Sequence, residues 1–244
     1  MVDDTIKKMK KNPNTGDFWD DLVEKIECVF PEDHITKDRI KLIANLIPNR
    51  NIKILDIGVG YGFLELRLEK SNISIYGIDI SPKSIFRANN LYKGTFVIAS
   101  VKAIPFMNNF FDFVCIPEVL EHLYDSESDI AMKEITRVLK TDGKLIASVP
   151  LYDEVYSGHP SGHVRVFTPE KLFEEINKNG FLVIKKRYLF AFKSLYSIKS
   201  FINRLLKIRR PNNLIVVAVK KGDKADKTDR TDKTNEGDEG IKNI

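Results

Sequence analysis

One pattern limits what this chain can become. Between residues 51 and 221 it holds seven β-branched runs, most of them separated by segments of helical period. The runs are "NIKILDIG", "ISIYGIDI", "GTFVIAS", "FFDFVCIP", "GKLIASVP", "FLVIKKRYLF" and "NNLIVVAVKK". The helical segments carry end signals. "SPKSIFRANNLY" opens on a serine cap with proline at the first helical position, and "TPEKLFEEINKNG" opens on Thr-Pro and closes on glycine. "SESDIAMKEITRVLK" is a third such segment. Strand and helix in turn mean βαβ units, because parallel neighbours need a crossover. The expected fold is α/β, a doubly wound, seven-stranded, mostly parallel sheet. Ligands of such sheets bind beyond the carboxyl ends of the strands, so function is read just past each run.

The first run ends in Asp56-x-Gly58-x-Gly60-x-Gly62. Glycine permits positive φ and lets a ligand approach the backbone. The helix that follows would aim its first amides at the same place. A dinucleotide fingerprint, G-x-G-x-x-G, needs glycine at position 63, where the chain has Phe63. Asp56 would also repel a pyrophosphate. A carboxylate here suits a ligand bearing a cationic amine; a tight turn with no ligand is the plainer alternative. Asp79 closes the second run, about 20 positions after the glycines, where an acidic residue can take two ribose hydroxyls. Ser81 supplies the cap of the next helix, which leaves Asp79 for a ligand.

Read together, "LDIGVGYG", "GIDIS", "ASVKAIPFMNNFFDFVCIPEVLEHL", "ITRVLKTDGKLIASVP" and "HVRVFTPEKLFEEINKNGF" resemble the class I S-adenosylmethionine-dependent methyltransferases, over residues 36–220. The resemblance implies a Rossmann-like methyltransferase fold with S-adenosyl-L-methionine as cofactor. Asp56 and the loop of Gly58, Gly60 and Gly62 would hold its methionine part. Asp79 would bind the ribose, and Ile80 would pack on the adenine. Ser100 and Val101 would lie at the adenine edge; the family often has Asp at the Ser100 position, and serine accepts more weakly. Pro117 would face the cofactor's amino group and the acceptor. "LKTDGK" stands where the family usually has a Pro-Gly-Gly turn, a difference expected to concern the turn alone.

"PEVLEHL" places Glu118, Glu121 and His122 at i, i+3 and i+4, so on a helix they would share one face beside the transferred methyl. "SGHPSGHVRVFTPE" brings His159 and His163 back over the same mouth, with His159 expected at the surface. Three readings stay open. His122 and Glu121 order the loop; or His122 or His163 is a general base; or Glu118, Glu121, His122 and His163 hold Mg²⁺, Mn²⁺ or Zn²⁺. The last arrangement is similar to that in O-methyltransferases of 3′-terminal RNA ribose and of quinone-precursor catechols. There a metal would lower the pKa of the attacking hydroxyl.

Outside the sheet, residues 17–30 have helical spacing, and Thr36 is placed to cap a second helix running to Leu46. The expected division is a helical segment over 1–35, the methyltransferase domain over 36–220, and a disordered tail over 221–244. From Lys220 onward seven basic and seven acidic residues alternate with almost nothing apolar. Residues 185–219 instead hold nine Lys or Arg and no acid. Within them, 192–212 reads as a basic amphipathic helix inserted before the last strand. It is either a lid with a solvated basic face or, over 193–210, a contact for an anionic membrane or an RNA backbone. With few aromatics interleaved, nucleic acid is the weaker of these. Cys28 and Cys115 are too few for a disulfide framework and are expected as buried thiols. The N-terminus lacks the apolar core of a secretory signal, so the chain is placed in the cytoplasm, peripheral to a membrane if the insertion binds one. The expected function is methyl transfer to a small-molecule acceptor, at oxygen. The alternatives are metal-assisted 2′-O-methylation of an RNA 3′-terminal ribose and a non-catalytic cofactor-binding scaffold.

Overall fold

In the computed structural model residues 15–27, 34–152, 162–190 and 210–221 are described. In chain order the elements are α1 (Gly16–Glu27), α2 (His34–Leu46), β1 (Ile52–Ile57), α3 (Phe63–Leu68) and β2 (Ile73–Asp79). Next come α4 (Pro82–Leu91), β3 (Thr95–Ile98), β4 (Phe111–Pro117), a 3-10 turn (Leu120–His122), α5 (Asp125–Val138) and β5 (Leu139–Pro150). Then α6 (Pro169–Lys178), β6 (Phe181–Leu189) and β7 (Asn213–Lys220) complete the set.

The seven runs form one seven-stranded sheet in the order β3-β2-β1-β4-β5-β7-β6. All pairs are parallel except those of β7, which runs antiparallel to β5 and β6. Side chains alternate across it. Leu55 and Ile57 enter one core with Ile78 and Ile116, while Ile52 and Ile54 enter the other with Ile75 and Phe113. Burial on both faces is why the strands read as nearly continuous apolar runs. Cys115 lies in the second core and is fully buried, as expected of a structural thiol. The connections from β1 to β2 and from β3 to β4 leave in opposite directions, which opens a crevice at the carboxyl ends of β1 and β4.

The capping signals hold where they are local. Ser81 Oγ accepts from Ser84 N at 3.1 Å and Thr168 Oγ1 accepts from Lys171 N at 3.3 Å. Two expectations need correction. The second helix begins at His34, so Thr36 lies inside it, and its hydroxyl accepts from Arg39 Nη2 at 3.4 Å. The segment "LKTDGK" is not a turn between helix and strand but part of β5. The pairing with β4 jumps from Phe111↔Leu139 to Phe113↔Lys144, so the intervening residues of β5 bulge. Gly143 is needed there, because a Cβ would come within 2.7 Å of the Leu139 side chain. Cys28, His159, the tail beyond 221 and insertion residues 191–209 lie outside the described residues. Among the described residues no helix is long and apolar enough to cross a membrane.

Candidate active site

A cavity of about 940 Å³ opens at the carboxyl ends of β1, β2 and β4. Of the residues assigned to the cofactor by sequence, Asp56, Gly58, Gly60, Asp79, Ile80, Ser100, Val101 and Pro117 all line it. The loop after β1 is wound by its glycines. Gly60 has φ 51° and its N–H donates to Asp79 Oδ2 at 2.9 Å. Gly58 has φ 83°, and a Cβ there would come within 2.6 Å of Val119. Gly62 does not line the cavity. It ends the loop in the left-handed region as the N-cap of α3, and a Cβ on it would strike the Tyr92 ring. Asp79 is more engaged than the sequence implied. Oδ1 accepts from Ser81 N at 2.8 Å while Oδ2 holds Gly60, so the carboxylate shapes the loop. Its remaining lone pairs can still take ribose hydroxyls. The Ser100 hydroxyl accepts from Lys102 N at 3.2 Å.

The end of the cavity beside the glycine loop holds buried carboxyls. Asp56 is buried and its Oδ1 has no hydrogen-bond partner. Behind it, Glu65 of α3 is completely buried with neither oxygen partnered. Burial, with the neighbouring Glu65 next, pushes the Asp56 carboxyl well up. Burial likewise raises Glu65 to about 7. Asp79 is also raised by burial, with the Gly60 and Ser81 N–H groups opposing. Carboxyls that resist ionisation in a cavity are relieved by a cation or by hydroxyl donors. An ammonium-bearing sulfonium nucleoside offers all of these, so the residues present fit that group. Glu65 escaped the sequence reading; the signal was an acid three residues after Gly62, on the inner face of a short helix.

At the other end the expected helix face does not form. Glu118 follows β4 with φ 55°, in the left-handed region, and only Leu120–His122 make a 3-10 turn. Glu118 therefore shares no helix face with Glu121 and His122. Its carboxylate accepts from Arg39 Nη1 at 3.2 Å, Ser148 Oγ at 2.8 Å and Asn213 Nδ2 at 2.9 Å. These partners occupy it, so the four-ligand set shrinks. Among the described residues the group able to hold a cation is Glu121, His122 and His163, whose ligand atoms lie within 4.8 Å of one another.

Arg165 builds that group. Its Nη2 donates to Leu120 O at 2.7 Å, and Val164 N and Arg165 N donate to Glu121 O at 2.9 and 3.1 Å. The guanidinium is itself held by Glu175 at 2.8 Å and Asp125 at 3.0 Å. The clamp sets His163 opposite His122, with ring centroids 4.9 Å apart. Glu121 is completely buried and neither of its oxygens has a hydrogen-bond partner. Its Oε1 lies 3.9 Å from His122 Nε2 and 4.0 Å from His163 Nε2. Burial, with Glu118 next, pushes the Glu121 carboxyl well up, against Arg39 and Arg165. His122 Nδ1 lies 3.2 Å from Gly162 O. A carbonyl only accepts, so the ring proton sits on Nδ1 and the Nε2 lone pair faces Glu121. Burial, then His163, lowers His122 to about 3 despite that bond. A ring that weakly basic is a poor general base near neutrality and a good neutral ligand. Trp19 of α1 closes over it, edge to face, with centroids 4.5 Å apart. Trp19, Arg39, Asn213 and Arg165 were not found from sequence, because each arrives from a distant segment.

Comparisons with known proteins bear on the family and the fold. Residues 55–147 match a family model described as a methyltransferase domain. An uncharacterized protein of Methanocaldococcus jannaschii is 27% identical over 194 residues, which is 78% of this chain and 83% of that one. A ubiquinone/menaquinone biosynthesis C-methyltransferase of Rickettsia bellii is 36% identical over 159 residues, 58% of this chain and 62% of that enzyme. The chain thus spans under two thirds of that enzyme's length. The fold is that of a Burkholderia thailandensis 1,6-didemethyltoxoflavin-N1-methyltransferase solved with S-adenosylhomocysteine. The TM-score is 0.62 at 18% identity, covering 82% of this chain and 84% of the other.

Proposed function

We propose that this chain, which belongs to the class I S-adenosylmethionine-dependent methyltransferases, transfers the cofactor's methyl group to an oxygen of a small-molecule acceptor. One observation carries the reading. A single cavity joins the Gly60–Asp79 loop, suited to a nucleoside, to the buried Glu121–His122–His163 group, suited to a hydroxyl. The cofactor supplies a methyl on a sulfonium leaving group. Asp56 and Asp79 orient it, and the cavity walls exclude water. An acceptor oxygen held at the Glu121–His122–His163 end would bond to that methyl carbon, with the carbon–sulfur electron pair left on sulfur. What the protein must add is alignment and a destination for the hydroxyl proton.

The hydroxyl proton would pass to solvent, and we read Glu121, His122 and His163 as the holders of a divalent cation that would ease its loss. The support is a fully buried carboxylate with two unpartnered oxygens facing a neutral imidazole lone pair. Three ligands leave open positions, and a bound cation would make a coordinated hydroxyl more acidic. Glu118 is not in this set. The test is a native mass spectrum with S-adenosylhomocysteine and Mn²⁺ added. Nucleoside and one Mn²⁺ are expected together on the wild type, with the metal lost in Glu121→Gln or His163→Ala and the nucleoside retained. A spectrum with nucleoside but no metal in the wild type would retire the cation and leave methyl transfer without it.

A further inference from the structure

The sequence assigns residues 1–35 to a segment separate from the domain, yet α1 lies across the cavity. Gly16, Trp19 and Asp20 are spaced i, i+3 and i+4, so they share one face of α1. At the adenosine end the helix backbone sits directly on Ile80. A Cβ at Gly16 would come within 2.5 Å of Ile80 O and 3.3 Å of Pro82 Cδ. Beside it, Asp20 Oδ1 accepts from Ser81 Oγ, and from Lys83 N at 3.2 Å. Ser81 Oγ is already the cap of α4, so Asp20 extends that cap from a position 61 residues away. At the reacting end Trp19 lines the cavity, stacked edge-on against His122 at 4.5 Å and backed by Phe18 at 5.2 Å. One three-turn helix therefore touches both the residues assigned to adenosine and the ring at the reacting end.

We propose that α1 is part of the active site: Gly16 and Asp20 latch it over the bound nucleoside, and Trp19 forms the wall that closes the reacting end. The proposal rests on the cofactor reading of the cavity. Asp20 is a positioning residue here. It touches the cap of α4, and through it fixes the loop that carries Asp79 and Ile80. The latch bonds hold α1 against Ile80, which lines the cavity beside Trp19, so nucleoside release should follow their opening. The rate of nucleoside release should then depend on residues that carry none of the chemistry.

Trp19 is the sole tryptophan of the chain, so its emission reports on this helix alone. The experiment uses the full-length chain and S-adenosylhomocysteine as the probe. Calorimetry measures binding. Tryptophan emission and its quenching by acrylamide are followed on the same samples, and stopped-flow emission gives the release rate. Binding should change the emission and reduce the acrylamide quenching. Asp20→Ala should release the nucleoside roughly fivefold faster or more, the worth of a lost hydrogen bond or two. Gly16→Val should do the same through its clash with Ile80. Binding heat without any change in emission or quenching, or wild-type release rates in both variants, would overturn the proposal. Absence of binding heat in the wild type would instead overturn the cofactor reading of the cavity, and the α1 proposal with it.

Discussion

Buried carboxyl groups stand at both ends of the cavity, and each can be tested alone. Asp79 carries the strongest claim at the cofactor end, where each oxygen already holds one backbone N–H. Asp79→Ala should weaken S-adenosylhomocysteine binding by about 10- to 100-fold, the range for hydrogen bonds to a charged group; calorimetry showing unchanged affinity would remove Asp79 from the site. Glu65 is different, because it lines no part of the cavity and serves from behind Asp56. Its folded pKa, about 7, lies above the ordinary 4.5. The folded state therefore binds more protons between those values, and stability falls as pH rises through 7. Glu65→Gln removes the ionisation, so without ligand it should be more stable than wild type at pH 8, by up to about 3 kcal/mol. The two should converge below pH 5, and urea titrations at both pH values check this. A wild type that loses no stability between pH 5 and 8 relative to the variant would show that Glu65 ionises freely.

At the scale of elements, short turns place the reacting group and buried ion pairs hold the turns. The 3-10 turn Leu120–His122 replaces the helix that "PEVLEHL" suggested. Two features explain the difference. Glu118 takes positive φ, which no helix continues, and Arg165 pulls on the Leu120 carbonyl from the strand-like run before α6. Arg165 and Glu175 are both buried. Arg165→Met should therefore cost about 3 kcal/mol or more, because the buried Glu175 loses its ion-pair partner and keeps only the Ser128 hydroxyl. A double variant, Arg165→Met with Glu175→Leu, should recover most of that loss in a denaturant titration. It should still disturb the Glu121–His163 geometry, since the bond to Leu120 O is not restored. If the double variant is no more stable than the single, the cost comes from the turn and not from the stranded carboxylate. The β5 bulge shows the same logic in the sheet, where Gly143 makes room for Leu139 and a turn-like sequence becomes strand.

For the whole molecule, ligand linkage gives the simplest check. A nucleoside that binds only the folded chain should stabilise it by about 2.7 kcal/mol at a hundredfold excess over Kd, enough to raise Tm by several degrees. A chain whose melting curve ignores saturating S-adenosylhomocysteine would contradict the family's cofactor role here. The fold is legible in the sequence. Alternating periods, serine and threonine caps and the glycines after β1 are local signals, and each acts within a few residues of itself. The glycine loop after β1 is legible for the same reason, since the positive φ at Gly58 and Gly60 is a local backbone demand. Gly62 belongs to that pattern for another reason than the cavity, because the Tyr92 ring is what excludes a side chain there. Distant partners leave no such trace. Arg39 reaches Glu118 across 79 residues and Asn213 reaches it across 95, so the withdrawal of Glu118 from the Glu121–His163 group is invisible in "PEVLEHL". Nor does "DFWDD" announce that Trp19 will lie on His122. The sequence by itself determined the sheet and its order of helices, because periodicity and backbone freedom are written locally. Only the tertiary structure decided which carboxylate stays unpaired and which helix covers it, because those outcomes depend on which charges and rings the folded sheet brings within a few ångströms.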